Sequence, residues 1–138
     1  MKKIIALLLC CTCIALSGCS VEFDGPSKSI SNFDGVWRQV NSNSEDSYQE
    51  AVIEDDGITI HWVSNDGDTR ALYWDGSFTE PGEKVTEYSW VSNAYEGNFG
   101  ILLSQDSTKM FSYIDGQITY MMQIYGTTNT VRLERVEE

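Results

Sequence analysis

Residues 55–67 read Asp55-Asp56-Gly57-Ile58-Thr59-Ile60-His61-Trp62-Val63-Ser64-Asn65-Asp66-Gly67, and this stretch decides the fold. Ile58, Ile60 and Trp62 alternate with Thr59, His61 and Val63, the period of two that sends successive side chains to opposite faces of a β-strand. An Asp-Gly pair closes each end of the run. Such pairs supply the positive φ angles that a tight hairpin turn demands, so this strand is joined to an antiparallel neighbour on either side.

The same unit recurs along the chain. Arg70, Leu72 and Trp74 alternate with Ala71 and Tyr73; Thr86, Tyr88 and Trp90 with Glu87, Ser89 and Val91; Ile118, Tyr120, Met122 and Ile124 with Thr119, Met121 and Gln123. Pro81-Gly82 and Asp115-Gly116 fall between such runs. No segment keeps apolar residues at i, i+3, i+4 and i+7 without a turn signal breaking it. Strands are expected at about 35–41, 48–54, 58–64, 69–78, 84–92, 99–104, 108–114, 117–125 and 128–136, an all-β chain of eight or nine short antiparallel strands. Short connections favour an up-and-down meander, closed into a barrel to remove its edges, over a Greek key; a sandwich is the alternative. An eight-stranded barrel is just wide enough to be filled by side chains, so a small or absent lumen is expected.

The N-terminus has a different character. Met1-Lys2-Lys3 precedes an apolar run from Ile4 to Leu16 and then Leu16-Ser17-Gly18-Cys19. A run of thirteen residues falls short of the roughly 20 that cross a bilayer, and the order of charge, apolar run and small residues is that of an export signal. A cysteine after Ser-Gly resembles the lipobox of bacterial lipoproteins. The resemblance implies cleavage before Cys19, acylation of its thiol, and retention of the chain on the extracytoplasmic face of a membrane, the outer membrane if the host has two. Residues 1–18 are then a signal peptide, 19–33 a lipidated N-terminus and polar tether, and 34–138 the folded domain.

Removing residues 1–18 from the 138 leaves 120, enough for one small domain. Lys2 and Lys3 leave with the signal, so the formal charge moves from −12 to −14, seven basic residues against 21 acidic. Such a surface repels nucleic acid and attracts cationic partners. Cys10, Cys11 and Cys13 also lie in the signal, and Cys19 carries the lipid. The domain therefore has no thiol for a disulfide, a thiolate metal site or a nucleophile.

A second resemblance concerns the domain. Gly35-Val36-Trp37 opens its first strand, and Arg132 and Arg135 lie on its last. This is similar to the calycin pattern of lipocalins and avidins, where the tryptophan of Gly-x-Trp packs beneath a basic residue of the final strand. The resemblance implies structural roles for Gly35, Trp37 and Arg132 or Arg135, and transfers no ligand-binding residue.

Catalysis finds little support. His61 is the only histidine, and no nucleophile elbow, zinc-protease helix or phosphate loop is present. The Asp-rich stretches at 54–57 and 66–68 lack the spacing of an EF-hand and read as turns. No catalytic residue, cofactor or metal ligand is assigned. Tyr73, Trp74, Tyr88 and Trp90 instead present rings from adjacent strands as a binding surface. Since neighbours point to opposite faces, Tyr73 and Trp74 are not both expected inside. The expected function is a membrane-anchored, non-catalytic binding module for a cationic protein or a small ligand. The alternatives are an inhibitor of a cationic extracytoplasmic enzyme such as lysozyme, or a prophage-encoded envelope or exclusion protein.

Overall fold

The structure is a computed structural model and describes residues 27–137. The signal peptide at 1–18, Cys19 and most of the tether lie outside the described residues. Eight antiparallel strands follow in order: β1 (Gly35–Gln39), β2 (Tyr48–Glu54), β3 (Gly57–Ser64), β4 (Thr69–Ser77), β5 (Glu87–Asn93), β6 (Thr108–Ile114), β7 (Gln117–Ile124) and β8 (Thr127–Arg135). They form one sheet in the spatial order β4-β3-β2-β1-β8-β7-β6-β5. Each strand pairs with its neighbour in sequence, and β1 pairs with β8, so the sheet curls into an up-and-down barrel of calycin-like topology. Among the described residues no helix is long and apolar enough to cross a membrane.

The barrel's two edges, β4 and β5, share no ladder; a single backbone bridge joins Gly76 to Ala94, just past β5, beside a hydrogen bond from Asn93 N–H to Ser77 Oγ at 2.9 Å. Beyond it the connection 94–107 runs along β4 in place of a ladder: Tyr95 N–H donates to Asp75 O at 2.9 Å and Ser104 N–H to Tyr73 O at 2.8 Å. The strand expected at 99–104 is this connection, so the strands number eight and not nine. Its run Ile101-Leu102-Leu103 has no alternation, and Ile101 and Leu102 face solvent instead of a partner strand. Gly76 allows the edges to approach. A Cβ there would lie 2.6 Å from Asn93 O and 2.9 Å from Trp74 Nε1. Gly76→Ala is expected to lower stability by about 1–3 kcal/mol, as overpacking does, read from the urea midpoint; an unchanged midpoint would show that the seam contributes nothing.

Alternation breaks once, with a large consequence. Between β3 and β4 the register passes from Ile60–Trp74 to His61–Leu72, leaving Tyr73 as an extra residue. This β-bulge shifts the parity of the strand. Both Tyr73 and Trp74 are therefore interior, at 4% and 1% exposure, contrary to the expectation from strict alternation.

Rings fill the interior as a column. Phe33 contacts Trp90 at 5.9 Å; Trp90 stacks on Phe111 at 5.2 Å, Phe111 packs on Tyr120 at 5.1 Å, Tyr120 on Tyr73 at 6.3 Å, and Tyr73 on Trp62 at 6.1 Å. The polar atoms that enter this core are mostly paired. Tyr120 O–H donates to Gln49 Oε1, Gln49 Nε2 reaches Met122 Sδ at 3.0 Å, and Trp74 Nε1–H donates to Ser92 Oγ at 3.0 Å. Burial pushes the Tyr120 phenol well above its usual range.

The N-terminal boundary also differs from the reading at Asp34. Ile30 bridges Val85, and Phe33 is completely buried. Residues 30–33 thus belong to the fold and close one end of the barrel. Trp37 lies beside them, its Nε1–H donating to Phe33 O at 2.9 Å. The guanidinium over its ring, at 4.9 Å, is that of Arg135. Arg132 lies exposed on the outer face, opposite Thr119. The three-residue difference reverses the side to which the residue points, and only Arg135 lies opposite Trp37 in the β1–β8 ladder.

Candidate functional site

The rings expected to form a binding surface do not form one. Tyr73, Trp74 and Trp90 are core residues, and Tyr88 is half-buried, stacked on Trp90 at 5.7 Å with its hydroxyl donating to Thr79 O. They line the inner wall because sixteen aromatic residues after the signal are enough to fill a narrow barrel.

Apolar exposure gathers elsewhere. The chain enters at the end where Lys28 meets the β6–β7 turn, Lys28 N–H donating to Asp115 and Tyr113 O–H donating to Lys28 O at 2.8 Å. The opposite end carries the β7–β8 turn and the 94–107 connection. There Ile101 and Tyr125 are fully exposed, Phe99 is 91% exposed and Leu102 half exposed. Ile101, Leu102, Tyr125, Ile124, Trp62 and Tyr73 line a shared cleft of about 340 Å³, with Ser104 and Asp106 on its polar side. Trp62 thus joins the column of core rings to the barrel mouth.

Two local features hold this surface in place. First, the turn Tyr125-Gly126 has positive φ at both residues, 49° and 77°. Asn or Asp normally leads such a turn, and a bulky side chain in the left-handed region is disfavoured. The sequence holds the signal, a glycine after the apolar run, but Tyr125 reads there as the last residue of a strand. Second, the 94–107 connection is latched by its polar groups. Asn98 Nδ2 donates to Asp75 Oδ2 at 2.9 Å, Ser104 Oγ to Asp106 at 2.9 Å, and Lys109 Nζ lies 3.1 Å from Asp106 Oδ2. Lys109 is buried, with its ammonium 5.3 Å from both the Tyr73 and Trp74 rings. With the polar side tied to β4 and β6, Phe99, Ile101 and Leu102 remain outside. Hydrogen bonds from Ser104, then the Lys109 ammonium, hold the Asp106 carboxyl below its usual range.

The other titratable cluster sits on the outer wall. Glu50 bridges Arg38 at 3.1 Å and Arg70 at 2.8 Å; burial works against its charge, but the two guanidiniums prevail and keep it below the usual carboxylate range. His61 lies beside it, half-buried, and burial followed by the Arg70 charge depresses its imidazole. Glu50 is engaged on both oxygens, and the His61 Nδ1 atom has no hydrogen-bond partner. This cluster ties β1, β2 and β4 together.

The Asp-rich turns are accounted for by backbone conformation: Asp55, Asp66 and Asp115 all have φ near 50°. Among the described residues no group of three or more His, Cys, Asp or Glu is placed to hold a metal ion. No family model, no curated protein sequence and no solved structure matches the chain.

Proposed function

We propose that the protein is a lipid-anchored, non-catalytic binding module on the extracytoplasmic face of a membrane, held through Cys19 and recognising a partner with the mouth of its barrel. The observation that carries the recognition half is Tyr125: a fully exposed ring in a left-handed turn, beside exposed Ile101 and Leu102. Backbone strain and an exposed apolar cluster are both costs to the free protein, and they recur together at binding sites. Loops placed on a rigid barrel are the usual carriers of recognition. The filled interior favours contact at the surface over enclosure of a ligand. Anchoring rests on the Leu16-Ser17-Gly18-Cys19 motif, and Lys28, near the start of the described residues, lies at the end opposite the mouth.

Asn tolerates the left-handed conformation better than Tyr, so Tyr125→Asn separates binding from folding. It is expected to raise stability by up to about 1 kcal/mol, measured by urea denaturation, while weakening partner capture. A photoreactive side chain introduced at position 125 in producing cells should give a discrete crosslinked adduct, and one at Ser89 on the outer wall should not. Equal labelling at both positions, or none at 125, would remove the mouth as the site. The anchor is tested independently. Labelled palmitate is expected to enter the wild type and not Cys19→Ser, and undiminished membrane retention of that variant would refute lipidation.

A further inference from the structure

The charge around the mouth is one-sided to a degree that the overall acidity does not require. The segments at this end, residues 40–47, 65–68, 98–107 and 125–126, contain Glu45, Asp46, Asp66, Asp68 and Asp106, and no lysine, arginine or histidine. All five acidic residues are exposed. Of the cations on the adjoining strands, Arg70 pairs with Glu50 at 2.8 Å and buried Lys109 with Asp106 at 3.1 Å, while Arg132, its backbone N–H bonded to Asn41, is exposed on the outer wall. Lys28 and Lys84 lie in the segments of the opposite end. The connections at this end thus set exposed carboxylates about an apolar centre and carry no basic residue of their own.

That combination selects among occupants. An anionic lipid surface is repelled by carboxylates. A second copy docking mouth to mouth brings like charge against like charge. A partner that carries apolar side chains flanked by lysine or arginine gains on both counts, and the Tyr125 and Trp62 rings can also accept a cation on their faces. We propose that the mouth binds a cationic amphipathic segment of a partner protein, its apolar side chains on Ile101, Leu102 and Tyr125 and its basic residues over the surrounding carboxylates. This rests on the binding-module reading above and names the chemistry of the partner.

The test uses the full-length protein in non-ionic detergent and two synthetic probes: an amphipathic peptide of leucine and lysine, and the same peptide with glutamate in place of lysine. Binding is followed by surface plasmon resonance against a detergent blank. The lysine peptide is expected to bind and the glutamate peptide not. Ile101→Ser or Tyr125→Asn should each weaken the lysine peptide about tenfold, mainly in dissociation, as loss of a central apolar anchor does. Asp66→Asn combined with Asp68→Asn should slow association about three- to tenfold at low salt and flatten its salt dependence. Equal binding of the two peptides overturns the cationic class and leaves the mouth as a binding site. Lysine-peptide binding that ignores both apolar variants overturns the location. Failure of the lysine peptide to bind overturns this proposal, while crosslinking at position 125 judges the broader reading separately.

Discussion

Phe33→Ala is expected to destabilise the protein by about 3–5 kcal/mol, the range for deleting a large aromatic side chain from a packed core. Phe33 precedes every strand, in a segment of polar composition that reads as tether, yet it has no exposed surface. Five rings surround it: Tyr113 at 5.1 Å, Phe78 at 5.5 Å, Tyr88 and Trp90 at 5.9 Å, and Trp37 at 6.2 Å. These come from β1, β5, β6 and the residue just after β4, so the cavity would sit where four parts of the chain converge and could collapse only by moving all of them. Its carbonyl also accepts the Trp37 indole N–H. Urea denaturation of the full chain measures the effect. A loss below about 1 kcal/mol, the level of a peripheral substitution, would mean that residues 30–33 do not seal the barrel.

Trp37→Ala is expected to cost a similar amount, about 3–5 kcal/mol. The indole is 1% exposed, packs edge-on against Tyr113 at 6.3 Å, and supports the Arg135 guanidinium at 4.9 Å. Companion substitutions distinguish the two arginines of the last strand. Arg135→Ala removes the cation–π contact and the hydrogen bond to Asn32 O, and should cost about 1–2 kcal/mol. Arg132→Ala, on the exposed wall, should stay within about 0.5 kcal/mol of the wild type. Equal effects at the two arginines would show that the stack over Trp37 carries no special weight.

Much of the architecture was legible in the sequence because its determinants are local. The alternation of Ile58, Ile60 and Trp62, and the Asp-Gly pairs, depend on the pleat of a strand and on φ angles at single residues, and those rules hold before any tertiary contact forms. The strand expected at 99–104 fails for the same reason. A short apolar run is ambiguous without a partner, and here its partner is the edge of β4 reached through two backbone hydrogen bonds. The binding-surface reading of Tyr73, Trp74, Tyr88 and Trp90 failed because aromatic content does not say which face is inner. Tyr125 carries no local signal of its role, because its strain is a property of a turn that a strand pattern conceals.

By itself the sequence determined an all-β meander without a disulfide in the domain, an acidic surface, and a lipobox-like segment ahead of it; all are properties of residue type and near-neighbour spacing. Tertiary structure decided three further matters. The bulge at Tyr73 placed two adjacent rings inside, which only cross-strand register can do. Phe33 was drawn into the barrel because the open end exposed rings that needed covering. The exposed cluster at the mouth arose because residues distant in sequence, Trp62, Ile101 and Tyr125, meet only when the sheet curls, and no local rule carries information over that separation.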